Sequence, residues 1–438
     1  MEADSPIHTS EAPPEPVTSR PAATILIIFL TVFIDLLGFG IVIPLLPIYT
    51  RQHGASEFTL GLLFAVFSLT QFIFSPFWGR LSDRIGRRPV LIAGLLGTAA
   101  SYTLFARADT LALIFASRAA AGFFGATIST AVAYIADITP QEHRTRAMGT
   151  IGAAFGLGFT VGPLVGGQLA SKEHPGLPGY AAAALSLSAG IFAWIKLVEP
   201  ERRRASAVDR AGAIKTVAAD PRTRTLYLLY FFAMLGFTAF ETMFTRFGLA
   251  RFPHVFHLTS AVERASLDDL MAAAPVAGDY LCFVGIVSAI VQGWLIRRLV
   301  PRFGETRLAV AGPIFLALAF FIIAAAPFLP ISERAQWALV VLSCILMPCG
   351  FGLNNPSLSG LMSIATPSEQ QGACAGLWQS VAALARIVGP PIAGATFGIF
   401  GPSSPFFAGG IILVGAGIVA LRYHQRFGAT FARPARGA

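Results

Sequence analysis

The sequence predicts an all-α membrane protein whose twelve transmembrane helices form two pseudo-symmetric six-helix bundles. Three observations lead there. Of 438 residues, 55% are apolar and 13% charged, with a mean hydropathy of +0.67, whereas a soluble chain carries roughly 25% charged residues. Apolar runs of about 20 residues, long enough to cross a hydrocarbon core, recur twelve times. The second half also repeats a stretch of the first. This composition excludes an ordinary water-soluble enzyme, a disordered chain, a disulfide scaffold and a coiled coil.

The elements follow in order. Residues 1–22 hold Glu2, Asp4, Glu11 and Glu15 against Arg20, with five prolines. They read as a disordered acidic tail rather than a signal peptide, so the first apolar run is expected to stay as an anchor. The N-terminal bundle covers 23–198, with spans at 24–49, 58–79, 89–106, 111–136, 147–170 and 177–198. A cytoplasmic linker occupies 199–224. The C-terminal bundle covers 225–424, with spans at 225–248, 278–298, 307–329, 336–362, 372–399 and 404–424, and 425–438 form a C-terminal tail. In the long loop 249–277, Ser260 and Glu263 resemble a capping box opening a short surface helix through Asp268 and Asp269.

Twelve spans put both termini on one side. With that side cytoplasmic, the inner loops and tails carry 23 Lys and Arg and the outer loops and span ends 7, while Arg118 and Arg386 lie within spans. Lys and Arg concentrate on cytoplasmic loops, so the tails are predicted inside, in a bacterial inner membrane. The same placement accounts for the net charge of +9 without nucleic acid, since no basic face interleaved with aromatics exists.

The repeat is specific. At a fixed offset of 227, residues 139–167 and 366–394 share nine identities in 29 positions without a gap. They include Thr139-Pro140 with Thr366-Pro367, Glu142 with Glu369, Gly149 with Gly376, Gly162-Pro163 with Gly389-Pro390, and Gly167 with Gly394. The halves are therefore read as parallel repeats about an axis along the membrane normal.

Little points to cofactor chemistry. Cys282, Cys344, Cys349 and Cys374 lie inside apolar segments and read as small packing residues. All seven histidines are read as tail or loop residues, and His254 with His257 supplies too few ligands for a metal. No cofactor and no enzymatic activity are expected.

The chemistry is expected from ionisable groups inside the hydrocarbon, which are costly and mark function or pairing. Four lie well inside spans: Asp35, Arg118, Glu241 and Arg386. At 1.5 Å per residue, Asp35 lies about 17 Å from its cytoplasmic helix start, Glu241 and Arg386 about 22–24 Å, and Arg118 about 12 Å from the outer end. Burial favours a neutral carboxyl and a nearby arginine favours the carboxylate, so a group switching between these settings takes up and releases protons. A static ion pair fixing helix packing is the other reading. Gln71, Asn354, Asn355, Trp378 and Gln379 are further substrate-contact candidates, each equally able to hydrogen-bond between helices. Asn354-Asn355-Pro356 is expected to break span 10.

In loop 2–3 stands Gly79-Arg80-Leu81-Ser82-Asp83-Arg84-Ile85-Gly86-Arg87-Arg88-Pro89. This pattern resembles the loop signature of the major facilitator superfamily. Span 4 carries Arg118 and Gly122 as in that superfamily, although Ala121 stands where Gln is usual. Span 5 runs Gly149, Gly158, Gly162-Pro163, Gly166-Gly167, matching the antiporter signature of its exporters. Asp35 to Pro47, Ala133 to Thr139 and Leu384 to Pro390 resemble the tetracycline-efflux branch of its twelve-span drug:proton antiporters. The resemblance covers about 24–424.

It implies the major facilitator fold, with spans 1, 4, 7 and 10 lining a central cavity and proton-coupled export of a lipophilic small molecule or drug. Its partners would be that substrate, protons and membrane lipids, its energy source a proton gradient, and its state a monomer. It further implies that Asp83 docks near the start of span 11 and that Arg87 or Arg88 ties to Asp137, latching in the outward-open state a cytoplasmic gate built from Gly79, Asp83, Arg84, Gly86, Arg87, Arg88 and Asp137. The counterpart running from Gly293 to Gly304 has Arg297 where the acid should stand, so the latch is expected to be one-sided. The alternative reading is a carrier of the same fold for an organic anion or sugar, with Arg118 and Arg386 binding a carboxylate.

Overall fold

The computed structural model describes residues 21–139, 141–171, 173–200, 210–258, 265–367 and 370–428. Among these there is no strand. The predicted tail at 1–20, Ser260, Glu263 and Glu369 lie outside the described residues, as do 201–209 of the linker and 429–438.

Among the described residues the helices trace twelve spans. Span 1 runs Pro21–Val42, turns at Ile43-Pro44-Leu45 and resumes as Leu46–Gln52. Pro44 cannot donate a backbone hydrogen bond, and the turn closes instead through Ile43 N–H to Gly40 O and Leu45 N–H to Val42 O. Span 2 is Glu57–Ile85, span 3 Arg87–Ala106. Span 4 is Leu111–Gly125 and Ile128–Ile138, interrupted where Thr127 and Ser129 donate side-chain hydrogen bonds back to the carbonyls of Phe124 and Ala126, a competitor of the helical ladder. Span 5 is Gln141–Gln168 and span 6 Leu177–Lys196. Within the predicted linker stands a helix, Arg210–Ala219.

Span 7 is Pro221–Arg251. Span 8 runs Leu267–Ile290, passes through a π-helical turn at Val291–Leu295 and continues as Ile296–Phe303. Spans 9 to 12 are Glu305–Ala325, Glu333–Ala365, Gln371–Phe400 and Ser404–Phe427. Among the described residues, eleven helices are long and apolar enough to cross a membrane by composition.

Several expectations change. Span 10 does not break at Asn354-Asn355-Pro356; one helix carries both Pro348 and Pro356, because packed neighbours hold a proline-containing helix together in the membrane. Asp268 and Asp269 do not belong to a separate surface helix. They form the first turn of span 8 itself, where Ser266 caps with Asp269 as a reciprocal capping box, so this span begins well before residue 278. His143 and His424, read as loop and tail residues, fall inside the helices of spans 5 and 12.

Span 1 packs on spans 5 and 6, span 2 on 4, and span 3 on 4 and 6; in the second half, span 7 packs on 10, 11 and 12, and span 9 on 10 and 12. The halves meet through spans 2 with 11 and 5 with 8. These contacts gather at the end of the molecule opposite the linker. There Gly61 abuts the Pro390 carbonyl, Gly394 abuts Glu57, Gly167 sits on Ala274, and Gly278 faces the Pro163 carbonyl. Toward the linker end, added Cβ atoms at Gly79, Gly152, Gly156, Gly293, Gly372 and Gly376 would meet nothing within 4 Å. Among the described residues, the space between the halves is closed at the far end and widens toward the linker.

Candidate functional site

The glycines of span 5 decide how close span 1 can approach. An added Cβ at Gly40 would stand 2.8 Å from the Gly158 carbonyl oxygen and 2.9 Å from Gly162 Cα, and one at Gly158 2.7 Å from Leu36. Gly166 abuts the Ile41 carbonyl. Small residues at a membrane interface permit such backbone contact. Gly167 turns the other way, onto Ala274 and Pro275 of span 8. The repeat in span 11 reproduces both directions. Gly389 meets Thr238 and Leu235 of span 7, its own half, while Gly394 meets Glu57 and Phe58 of span 2, the opposite half. The surroundings of Gly149 fall outside the described residues.

The span 1–span 5 contact holds Asp35 in mid-membrane. One of its carboxylate oxygens is buried without a hydrogen-bond partner, and the group faces Thr98 and Tyr102 of span 3. Arg118 is 2% exposed, lies 4.6 Å from the Phe67 ring centroid and 5.3 Å from that of Phe39, and leaves its Nε unpartnered. Such cation–π contacts contribute about 0.5–2 kcal/mol each. Arg118 lies in electrostatic reach of Tyr102 and Glu241, and Glu241 in reach of both Arg118 and Arg386. Tyr230 neighbours Arg386 and stacks on Trp378 with centroids 3.7 Å apart. The expected pairing of acids and bases is thus not direct. None of the four charges makes an ion pair within 4.0 Å among the described residues. They form instead a spaced series from span 1 through span 4 to spans 7 and 11, crossing from one half to the other.

The other substrate candidates divide. Gln71 donates from Nε2 to the Gly125 carbonyl at 3.2 Å, capping the open end of the span 4 interruption. Asn354 is fully buried with both amide atoms unpartnered, its Cβ pressed toward Gly312 of span 9, so it faces its own bundle. Asn355 and Trp378 are half-buried and Gln379 is exposed.

At the linker end, Arg87 pairs with Asp83 at 2.7 Å and Asp137 at 3.0 Å and donates to Ser82 Oγ at 2.6 Å. Asp83 therefore pairs within its own loop in this form, which is open at the linker end, whereas its docking on span 11 is the expectation for the outward-open state. Arg84 is engaged, Gly79 open and Arg88 bonded to the Trp194 carbonyl. Two features escaped the sequence reading. Glu199 accepts the backbone N–H groups of Arg87 and Arg88 at 2.6 and 2.9 Å, capping span 3 where orphan donors and the helix dipole favour an anion; a lone Glu-Pro just after span 6 was its signal. Glu57 and Arg246 form an ion pair across the far end, and with them Gln168 donates to Asp279 at 3.2 Å. No sequence spacing links residues so far apart.

The major facilitator superfamily model matches residues 28–387. The chain is 30% identical to the tetracycline resistance protein, class B, of Escherichia coli over 392 residues, covering 87% of this chain and 90% of that one. It is 30% identical to multidrug resistance protein 2 of Bacillus subtilis (90% and 94% covered) and 27% identical to the quinolone resistance protein NorA of Staphylococcus aureus (92% and 97%). Among solved structures, the human organic anion transporter MFSD10 superposes with a TM-score of 0.67 at 24% identity, covering 92% of this chain and all of that one. A bacterial homologue of the human lysosomal transporter Spinster, inward-facing and occupied, gives 0.73 at 16% identity over 95% of this chain and all of that one. At these identities the structural likeness shows the fold alone.

Proposed function

The chain belongs to the major facilitator superfamily as an integral multi-pass membrane protein, and on that premise we propose that it exports a lipophilic small molecule or drug in exchange for protons by alternating access. One observation carries this reading. Among the described residues the two matched halves meet in the part of the molecule away from the linker, and a series of four membrane-embedded charges runs from one half to the other. With the tails cytoplasmic, the open end faces inward and can admit substrate from the cytoplasm or inner leaflet. Rocking of the halves about the glycine contacts would close that end and open the far one.

In this cycle Asp35 and Glu241 take up protons while facing outside and release them inside. Because no arginine among the described residues pairs directly with either, protonation acts through the field at Arg118 and Arg386 rather than by breaking a contact ion pair. The relatives' resistance names support efflux as the direction. No cofactor is required; a gradient of one pH unit supplies about 1.4 kcal/mol per proton, roughly a tenfold accumulation. The proposed setting is a bacterial inner membrane, with the chain working as a monomer and carrying out no enzymatic reaction.

The test is efflux from vesicles loaded with a fluorescent lipophilic drug. Export should stop when an ionophore collapses the proton gradient, and export that continues unchanged would end the proton-coupled reading. A second reading rests on Arg118, a buried cation with no contact carboxylate among the described residues, which suits an organic anion as substrate. Competition of organic anions against lipophilic cations for transport separates the two.

A further inference from the structure

The two halves treat their linker-end arginines differently. In the first half, Arg87 has Asp83 and Asp137 as partners, and Glu199 caps the same loop. The second half lacks all three carboxylates. Arg297 stands where Asp83 would, Ile364 stands at the repeat position of Asp137, and residues 425–438 after span 12 contain no Asp or Glu. The arginines remain. Arg297, Arg298, Arg302 and Arg307 are exposed, and none makes an ion pair among the described residues.

The geometry turns them outward together. The π-helical turn at Val291–Leu295 resets span 8 before its last helix, Ile296–Phe303. At 100° per residue, Arg297, Arg298 and Arg302 fall within an arc of about 140°. The opposite arc, Ile296, Leu299 and Val300, packs with Leu308 and Leu353 in a small core. Arg298 lies 4.1 Å from the ring centroid of Trp294, which is 53% exposed, and Phe303 is 50% exposed. Span 8 from Leu267 to Phe303 has 37 residues, about 55 Å at 1.5 Å per residue, against a hydrocarbon core of about 30 Å. Its last turns therefore project to headgroup depth.

We propose that this face is a binding site for the headgroup of an anionic phospholipid, with Arg297, Arg298 and Arg302 meeting the phosphate and Trp294 and Phe303 lying against the upper acyl chain. Clustered arginines beside a span recognise anionic lipid, and an aromatic side chain suits the interface because one part is apolar and the other wet. The chain's own acidic segment is a poorer occupant: residues 1–20 contain no aromatic and much proline, and would leave Trp294 and Phe303 uncovered. The linker 199–224, with seven Lys and Arg against four acids, adds repulsion.

The test uses the full chain in detergent, delipidated and then titrated with dioleoylphosphatidylglycerol or dioleoylphosphatidylcholine, with bound lipid counted by native mass spectrometry. Phosphatidylglycerol should be retained about fivefold over phosphatidylcholine, and high salt should erase the preference. The triple variant Arg297→Gln, Arg298→Gln, Arg302→Gln should lose the preference, whereas Arg334→Gln, an exposed arginine at the opposite end, should keep it. Equal retention of the two lipids by the unmodified chain overturns the proposal without needing any variant to fold. So does undiminished preference in the triple variant. A preference that emerges only after Glu2, Asp4, Glu11 and Glu15 are neutralised assigns the face to the acidic tail instead and also overturns it.

Discussion

Glu57, the first residue of span 2, is ion-paired with Arg246 near the end of span 7, and the pair joins the two halves where they touch. Their side chains are 19% and 7% exposed. Spans 2 and 7 come from different repeats, so opening the far end must separate them. Removing one partner leaves the other partly buried and unpaired, which costs about 1–3 kcal/mol at a site less buried than a protein core. Arg246→Gln should therefore shift the population toward the far-end-open form by about 5- to 150-fold. Spin labels at Gln52 and Arg334, in a background without the native cysteines, should report longer distances. The charge swap Glu57→Arg with Arg246→Glu should restore the short ones; a swap that behaves like the single variant would count against a gating role.

A second prediction concerns the root of the linker. Gly86 has φ +110°, and a Cβ there would stand 2.8 Å from the Glu199 carboxylate. Alanine meets both backbone strain and a clash, so Gly86→Ala should destabilise by about 1–3 kcal/mol. Glu199→Gln keeps the shape and weakens the anionic cap, costing about 0.5–1 kcal/mol. Thermal unfolding in detergent should rank them in that order. Limited proteolysis should also cleave the Glu199→Gln linker faster, because the cap anchors its first residue to span 3.

How far the sequence reaches is visible in particular residues. The twelve spans could be read because apolar run length is set by bilayer thickness, and the repeat could be read because Gly162-Pro163 and Gly389-Pro390 do the same packing work in both halves. The interruption at Ala126-Thr127 could not: it arises from hydroxyls competing locally with the ladder, a choice that composition does not record. Asn354 looked like a cavity residue by its polarity, yet helix rotation, set by Gly312, turns it into the bundle. Asp83 was expected on span 11 by resemblance, but its partner depends on how the halves are tilted. Glu57 with Arg246 was invisible because 189 residues separate them in the chain.

The glycine contacts make a third prediction, with a control built in. At Gly162 an added Cβ would lie 2.6 Å from Gly40 Cα, backbone that cannot rotate away. Gly162→Ala should force spans 1 and 5 apart, lower the melting temperature by several degrees and abolish transport. At Gly152, on the same helix, nothing stands within 4 Å. Gly152→Ala should leave the melting temperature unchanged or raise it slightly, since alanine favours helix by about 1 kcal/mol. Equal losses for the two would mean that span 5 tolerates no side chain anywhere, and that the contact with span 1 is not what selects glycine.

The last prediction separates coupling from binding. Asp35→Asn and Glu241→Gln each remove one proton-exchanging group while keeping its size. The proposed cycle runs outward when the outside is more acid, because a proton is bound there and released inside. With an imposed gradient of one pH unit, acid outside, the unaltered chain should accumulate substrate against a gradient of roughly tenfold per proton, the equivalent of about 1.4 kcal/mol. Reversing the gradient should reverse the direction of net flux. A variant that has lost its coupling group should respond to neither sign, yet still exchange labelled for unlabelled substrate at equal pH, since exchange needs only the rocking motion and the binding site. Arg118→Lys serves as the contrast. Lysine keeps the charge but loses the planar guanidinium lying against Phe39 and Phe67, and the two cations are not interchangeable at a stacked site. It should weaken exchange and gradient-driven transport together. If Asp35→Asn and Glu241→Gln both pump normally in the acid-outside direction, the protons travel by another route and the series of four charges is a packing device.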